Sequence, residues 1–163
     1  MPDKKSSHPV HKQLQQNLFA VGNAEMYCDG ASSGNPGDSG IGVVINVSHK
    51  DAGQSGKEES HCISEYIGTA TNNVAEYSAL LRGLEEAKSL GIRHIDIYMD
   101  YELIVKQIKG IYRVKNENLL PLWIKAKSLL KEFAHYSVTH VPREMNKEAD
   151  SLATRAVKQK RAK

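Results

Sequence analysis

Residues 71–100 decide the fold, and they read TNNVAEYSALLRGLEEAKSLGIRHIDIYMD. In the first part, apolar residues recur at the spacing of a helix that packs one face against a core: Val74, Tyr77, Leu81, Leu84 and Ala87. Gly91 then supplies a stop signal. In the second part, Ile95, Ile97 and Met99 alternate with polar residues, which is typical of a half-buried strand. The stretch therefore predicts an α-helix that leads into a β-strand ending at Asp100.

Three strands are predicted before this helix. The first covers Glu25–Asp29 and is followed by a loop, Gly30–Gly40, that is rich in Gly, Ser, Asn and Pro. Alternating apolar residues between Ile41 and Val47 indicate a second strand. A polar turn over residues 50–57 then leads into a third strand over Glu58–Thr69.

Two helices, a strand and a final helix are predicted after Asp100. The helices cover Leu103–Ile108 and Leu119–Phe133, the strand covers Tyr136–His140, and the last helix begins near Asn146. The order β-β-β-α-β-α-α-β-α combines an antiparallel meander with parallel strands joined by helical crossovers. We therefore expect an α/β fold with a five-stranded mixed sheet flanked by helices.

Length and charge indicate a single folded domain between two polar tails. The chain has 163 residues, which suits a single core. Residues 1–24 form a predicted flexible arm with a charge of +2, and residues 158–163 form a basic tail with +4. The domain between them, residues 25–157, carries −3 because the whole chain nets +3. Such tails attract polyanions or simply improve solubility.

Composition excludes several classes of protein. No apolar run approaches the roughly 20 residues that cross a bilayer, and the N-terminus lacks the long apolar stretch of a secretory signal. Cys28 and Cys62 show neither metal-site spacing nor the density of a disulfide scaffold. We therefore expect a soluble cytoplasmic protein that is monomeric and does not bind membranes.

Four acidic residues occupy positions that suggest chemistry. Asp29 and Asp100 each follow a predicted strand, where open sheets place their ligands, although a turn residue or a helix N-cap would explain either one alone. Glu76 lies on the predicted helix with Ala79 and Leu80 on its face. Asp150 lies on the last helix beside small and apolar residues. An acid that lies among small and apolar residues on a helix is harder to explain as part of a solvent-exposed face.

A divalent cation would explain why such carboxylates converge. Four carboxylates at low dielectric repel one another and resist ionisation. Hard oxygen ligands suit Mg²⁺, with Mn²⁺ as a substitute, and the sequence lacks the Cys and His set expected of zinc. Two such ions stabilise the attacking and leaving oxygens of a phosphodiester displacement. The four acids therefore indicate a two-metal site.

The segments that carry these acids resemble the four motifs of type 1 ribonuclease H. Residues 27–37 read YCDGASSGNPG, and residues 71–76 read TNNVAE. Residues 99–100 read MD, and residues 146–153 read NKEADSLA. The match runs from about residue 25 to residue 157 in the family's order. The resemblance implies the ribonuclease H-like fold, an RNA/DNA hybrid as substrate, and a metal-binding tetrad of Asp29, Glu76, Asp100 and Asp150.

The resemblance also implies the residues that touch the nucleic acid. Asn35, Asn72 and Asn73 would contact the hybrid, with the last two near RNA 2′-hydroxyls, and Thr71 would help to bind a phosphate of the DNA strand. An amide both donates to and accepts from a hydroxyl, and the 2′-hydroxyl is what distinguishes RNA from DNA. Helix capping is the alternative role for the two adjacent asparagines.

Two departures from the family pattern concern substrate binding. Many members carry Ser after the third acid, whereas Tyr101 stands here and either stacks on a base or sugar or packs in the core. Long-form members also insert a basic, Trp-rich protrusion between the two middle helices. Here the interval is only about 110–118, so the chain resembles the short form and its basic tails become candidates for additional hybrid contacts.

His140 and Arg143 are alternative helpers of the reaction. The family's mobile His lies ten residues before the last acid, and His140 has that offset from Asp150. However, residues 140–144 read HVPRE and resemble a shorter variant of the family's loop. An inward structural role for His140 is equally consistent with the alternation in its strand, and Arg143 is the other cation near the leaving group.

The expected activity is two-metal hydrolysis of the RNA strand of a hybrid, giving 5′-phosphate and 3′-hydroxyl ends. One alternative is a catalytically silent hybrid-binding module, which the complete tetrad disfavours. Another is a nuclease of the same architecture with a different nucleic-acid substrate, which the TNN motif disfavours. A nucleotide-cofactor loop is excluded because neither phosphate-binding glycine motif is present.

Overall fold

The described residues, 22–49 and 58–161, form strands and helices in the predicted order. In this computed structural model the strands are β1 (Asn23–Ser32), β2 (Gly37–Ser48), β3 (Glu58–Ala70), β4 (His94–Met99) and β5 (His135–His140). The helices are α1 (Asn72–Ser89), α2 (Glu102–Ile108), α3 (Leu120–Leu130) and α4 (Lys147–Arg161), and a short 3₁₀ turn (Arg143–Met145) precedes α4.

The five strands form one mixed sheet in the order β3-β2-β1-β4-β5. Strands β1, β2 and β3 pair antiparallel, as consecutive hairpins do. Strands β1, β4 and β5 pair parallel, and the helices between them supply the crossovers. The predicted α/β fold with a five-stranded mixed sheet is confirmed.

One face of the sheet is buried beneath α1, which packs against β1 and β2. Met26 and Cys28 of β1 are fully buried there, as are Ile95, Ile97 and Met99 of β4. Gly83 of α1 lies directly over Met26, and a Cβ at Gly83 would come within 2.5 Å of the Met26 sulfur. The helix approaches the sheet this closely because glycine has no side chain.

The opposite face of the sheet is covered by α4, which packs mainly against β2. At Gly42 of β2 a Cβ would lie 2.0 Å from the carbonyl oxygen of Ala149. Ser64 of β3 donates from its hydroxyl to the carbonyl of Leu152 at 2.7 Å. The N-terminal part of α4 is therefore fixed against the middle of the antiparallel strands.

Several predicted boundaries were wrong. β1 continues to Ser32 and β2 begins at Gly37, because the hairpin stays paired well beyond Asp29, so Asp29 lies inside a strand rather than at its end. At the N-terminus, β1 begins at Asn23 and includes the last two residues assigned to the arm. Gly22 of that arm is described, whereas residues 1–21 and the turn over 50–57 lie outside the described residues.

The C-terminal helix also differs from the prediction. α4 continues to Arg161 and so includes most of the segment assigned to a basic tail. The Lys160 ammonium lies 5.4 Å from the centre of the Tyr66 ring on β3, a cation–π contact that holds the helix end near the sheet edge. Within the described residues, no helix is long and apolar enough to cross a membrane.

Candidate active site

Asp29 and Asp100 project from adjacent parallel strands at the same end of the sheet. The paired segment of β1 and β4 ends with Tyr27 opposite Tyr98. Each aspartate lies two residues beyond its tyrosine, so the same register places the two acids side by side. Asp29 is 5% exposed. The register of a parallel pair thus brings together two acids that are 71 positions apart in sequence.

Glu76 approaches Asp29 from α1. Gly30 packs against the backbone of α1, and a Cβ at Gly30 would lie only 2.4 Å from the carbonyl carbon of Ala75. The backbone N–H of Gly30 donates to the Glu76 carboxylate, which is itself 5% exposed. The Asp-Gly pair therefore serves two purposes, because the aspartate supplies an acid and the glycine admits the helix that carries another.

Asp150 reaches the same place from α4. In the β1–β2 register Asp29 lies opposite Gly42, the residue on which Ala149 packs. Asp150 follows Ala149 and hydrogen bonds to the Asp29 carboxyl. Its side chain is 37% exposed, so Asp150 faces the open side of the site. The four predicted acids therefore come together from β1, α1, α4 and the end of β4.

Burial and mutual repulsion make two of these acids weak. Desolvation is the largest cause that raises the pKa of Asp29, to about 7, and the charges of Asp100 and Asp150 raise it further. Desolvation also raises the pKa of Glu76 well above its usual value, with repulsion from Asp29 next. Asp29 hydrogen bonds to the side chains of both Glu76 and Asp150.

The donor set fits hard divalent cations. All four side chains offer carboxylate oxygens, which Mg²⁺ and Mn²⁺ prefer. Among the described residues, Glu76 Oε2 is a buried oxygen without a hydrogen-bond partner, which suits a metal ligand. As they stand in the described part of the chain, no three or more His, Cys, Asp or Glu side chains are arranged so that they could hold a metal ion.

Asn146 is a residue of this site to which no role was assigned from sequence. Its Nδ2 donates to Asp100 Oδ1 at 2.8 Å and to the Cys28 carbonyl oxygen at 3.1 Å. The Asp150 backbone N–H in turn donates to the Asn146 carbonyl at 3.1 Å. Asn146 is 1% exposed. The sequence signal for this role was the position of Asn146, four residues before Asp150 in the same motif. Through these hydrogen bonds Asn146 connects α4, β1 and the end of β4.

The predicted substrate residues cluster at the N-terminus of α1. Thr71 is the N-cap, and its hydroxyl accepts from the Val74 N–H at 3.3 Å. The Asn72 backbone N–H donates to Asn35 Oδ1 at 3.1 Å. Capping of α1 is therefore done by Thr71 and Asn35, not by the side chains of Asn72 and Asn73, which corrects the alternative considered from sequence.

Tyr101 contacts Asn73 and is packed against the core. Its hydroxyl donates to Asn73 Oδ1, and its ring is half-buried at the start of α2. Desolvation is the main cause that raises the pKa of Tyr101, and the charge of nearby Glu76 adds to it. Tyr101 therefore lies between the acids and the predicted substrate residues.

His140 and Arg143 both lie at the rim. His140 is exposed at the end of β5, opposite Met99, so the inward structural role considered from sequence is wrong. The hydrogen bond from Lys106 is the main cause that lowers the pKa of Glu102, the Lys106 charge is the next, and nearby His140 adds least. Arg143 is 77% exposed and its Nη2 lies 3.8 Å from Asp150 Oδ1. Among the described residues, Arg143 is thus a cation that pairs with an acid of the site.

The chain belongs to the ribonuclease H family. Residues 27–156 match the protein family described as Reverse transcriptase-like. The chain is 33% identical to a ribonuclease H of Pelobacter propionicus, with 96% of this chain and 98% of that protein covered. It is also similar to a solved structure of LC11-RNase H1 in complex with an RNA/DNA hybrid, at 38% identity and a TM-score of 0.69, with 84% of this chain and 98% of that one covered. The predicted family is confirmed.

Some relatives are much longer than this chain. A bifunctional protein of Mycobacterium tuberculosis is 39% identical over 130 residues, which are 79% of this chain but only 34% of that protein. The chain therefore spans about a third of the length of that mycobacterial relative. The likeness concerns the ribonuclease H portion alone.

Proposed function

We propose that this protein is an endonuclease that hydrolyses the RNA strand of RNA/DNA hybrids. The observation that carries the proposal is that four carboxylates from separate elements meet at one end of the sheet. Burial raises the pKa of two of them. Such a cluster costs stability unless it binds cations. Membership of the ribonuclease H family supports the reaction class.

Asp29, Glu76, Asp100 and Asp150 would hold two Mg²⁺ ions, with Mn²⁺ as a substitute. When bound, such a pair activates water and stabilises the oxygens that attack and leave the phosphorus. The protein's own part is to fix the carboxylates: Gly30 donates to Glu76, and Asn146 donates to Asp100. The products would carry 5′-phosphate and 3′-hydroxyl ends.

Asn35, Thr71, Asn72 and Asn73 would bind the hybrid beside the acids. All four lie in or next to the first turn of α1, and Asn35 and Asn72 are exposed. The solved LC11-RNase H1 complex shows that a relative binds an RNA/DNA hybrid. Recognition of the 2′-hydroxyl by amide groups would make the RNA strand the one that is cut.

His140 and Arg143 would assist the departure of the product or the transfer of protons at the open side of the site. The exposure of both side chains suits groups that meet the substrate rather than the core. We further propose residues 25–157 as the catalytic unit and a monomeric state. A cytoplasmic location is supported by the free cysteines Cys28 and Cys62, of which the second is exposed.

A cleavage assay with three matched duplexes tests the activity. The purified protein is given an RNA/DNA hybrid, a double-stranded RNA and a DNA duplex of one sequence, each with Mg²⁺ or with EDTA. We expect cleavage of the RNA strand of the hybrid in Mg²⁺ only, and none by Asp29→Asn. Binding of the hybrid without cleavage would favour the silent binding module, and preferred cleavage of another duplex would favour a related nuclease.

A further inference from the structure

Tyr101 fixes which end of the Asn73 amide is available to a ligand. The Tyr101 hydroxyl donates to Asn73 Oδ1, a contact between the residue that precedes α2 and the first turn of α1. A side-chain amide has one acceptor oxygen and one donor NH₂ group. The oxygen already accepts from the phenol, and no hydrogen bond from the Asn73 NH₂ group to another described residue is recorded, so the NH₂ group is the end that a ligand would meet.

The same polarity occurs at a second asparagine of the cluster. Asn35 Oδ1 accepts from the Asn72 backbone N–H at 3.1 Å, which leaves the Asn35 NH₂ group as its free end. Asn35 is exposed and Asn73 is half-buried. Two amides beside the acids therefore present donors, and a complementary ligand must present acceptors. The 2′-oxygen of a ribose and the minor-groove edges of the bases are acceptors of this kind.

The Tyr101 ring is held firmly enough to orient a neighbour. It is half-buried and packs against the hydrophobic core, and it directly follows Asp100 at the end of β4. A ring packed in this way has lost much of its rotamer freedom. Its hydroxyl consequently has a fixed place from which to donate to Asn73.

We propose that Tyr101 is a positioning residue for RNA recognition. By engaging Asn73 Oδ1, it turns the Asn73 NH₂ group toward the 2′-oxygen of the RNA strand, and the preference for RNA depends on this orientation. The inference rests on the proposed function, because it assumes that an RNA/DNA hybrid is the substrate. Of the two roles considered for Tyr101 from sequence, the proposal builds on packing rather than on stacking.

The hydrogen bond itself is tested without any substrate. Tyr101→Phe keeps the ring and removes the donor, and Tyr136→Phe, at another half-buried tyrosine, is the matched control. We expect the side-chain NH₂ resonances of Asn73 in a ¹⁵N spectrum of the free protein to shift and to sharpen toward free rotation in Tyr101→Phe only. Unchanged resonances would show that Tyr101 does not hold the amide.

Binding measurements test the consequence. With Ca²⁺ in place of Mg²⁺ to suppress cleavage, the Kd is measured for a hybrid and for a DNA duplex of one sequence. We expect Tyr101→Phe to weaken hybrid binding about 3- to 10-fold, the effect of one lost hydrogen bond, and to leave DNA binding unchanged. In the cleavage assay KM should rise by a similar factor while kcat changes less than twofold, roughly.

A double-mutant comparison shows whether Tyr101 acts through Asn73. In an Asn73→Ala background, Tyr101→Phe should not weaken hybrid binding further. A full additional loss in that background, or an equal loss for hybrid and DNA duplex, would overturn the proposal. If the wild-type protein neither binds nor cuts the hybrid, the proposed function fails instead, and the spectrum of Asn73 still reports on the hydrogen bond.

Discussion

The side-chain amide of Asn146 lies 2.8 Å from the carboxylate of Asp100, to which its Nδ2 donates a hydrogen bond. The same nitrogen donates to the Cys28 carbonyl at 3.1 Å, directly before Asp29. One buried amide thus connects the start of α4 to both parallel strands that carry acids. The relative positions of Asp29, Asp100 and Asp150 depend on it.

We expect Asn146→Ala to lower the free energy of unfolding by about 1–3 kcal/mol, because the buried Cys28 carbonyl and the half-buried Asp100 carboxylate lose their donor. Mg²⁺ affinity should fall as well, since Asp100 loses its orientation. Urea unfolding and calorimetric titration of Mg²⁺ measure the two effects. Asn116→Ala, at an exposed asparagine in the α2–α3 connection, is the control. Mg²⁺ affinity equal to that of the wild type would show that Asp100 needs no such support.

Asp29→Asn should abolish cleavage and preserve the fold. The substitution removes one negative ligand from the proposed metal site, and an amide coordinates a hard cation less strongly than a carboxylate. Steady-state turnover in Mg²⁺ and in Mn²⁺, together with circular dichroism, checks this outcome. Turnover near that of the wild type in either metal would refute the assignment of the tetrad.

The stability of the metal-free protein should fall as the pH rises from about 4 to about 7. The pKa of Asp29 is raised from 3.8 to about 7 in the folded state, so folding favours its protonated form. The stability gained from the protonated carboxyl group is complete below the pKa of the unfolded state. It is lost as the pH rises to the pKa of the folded state, at about 1.4 kcal/mol per pKa unit. Asn at this position mimics the neutral acid and should flatten the slope.

The pH prediction is measured by urea unfolding in EDTA at pH 5 and at pH 8. The stability of Asp29→Asn relative to the wild type should be greater at pH 8 than at pH 5. Glu117→Gln, at an exposed acid between α2 and α3, should show no such pH dependence of its stability relative to the wild type. Adding Mg²⁺ at pH 8 should restore the stability of the wild-type protein alone, because bound cations offset the repulsion between the ionised carboxylates.

His140 and Arg143 are separable by kinetics. If His140 transfers protons, His140→Ala should lower kcat about 10²-fold or more and leave the melting temperature unchanged, because the side chain is exposed. His135→Ala is the matched control, since His135 is also exposed and begins the strand that His140 ends. Unchanged kcat in His140→Ala with strong impairment in Arg143→Ala would transfer the role to Arg143, which contacts Asp150.

The elements that carry two of the acids were predictable from the sequence, because local patterns define those elements. Asp100 follows a strand of clear alternation, and Glu76 lies on the buried side of a helix, so both could be placed before their neighbours were known. The end of β1 could not be placed. Pairing with β2 continues through Ser32, and such pairing depends on a distant segment rather than on the local Gly-rich composition.

Contacts between distant polar residues were not predictable. The hydrogen bond from Tyr101 to Asn73 joins residues 28 positions apart, and its formation depends on how α1 and α2 pack. The exposure of His140 has a similar origin. Val138 on the same strand face is buried, but the cover over β5 does not reach the last residue of the strand. Alternation in an edge strand shows which residues share a face and not how much of that face is covered.

The basic ends of the chain should add affinity without adding specificity. Residues 1–21 carry a charge of +2, and Lys158 and Lys160 are exposed on the last turns of α4. Each phosphate contact that they make releases counterions, so its loss flattens the log–log dependence of binding on salt by about one unit.

Deletion of residues 1–21 combined with Lys158→Ala should raise KM and leave kcat and the preference for hybrid unchanged. The helix is retained in this variant, since Lys160 keeps its contact with Tyr66. An unchanged salt slope would show that these charges do not touch the substrate, and binding would then depend on the body of the domain, where Lys109, Arg113 and Lys115 are the exposed cations between α2 and α3.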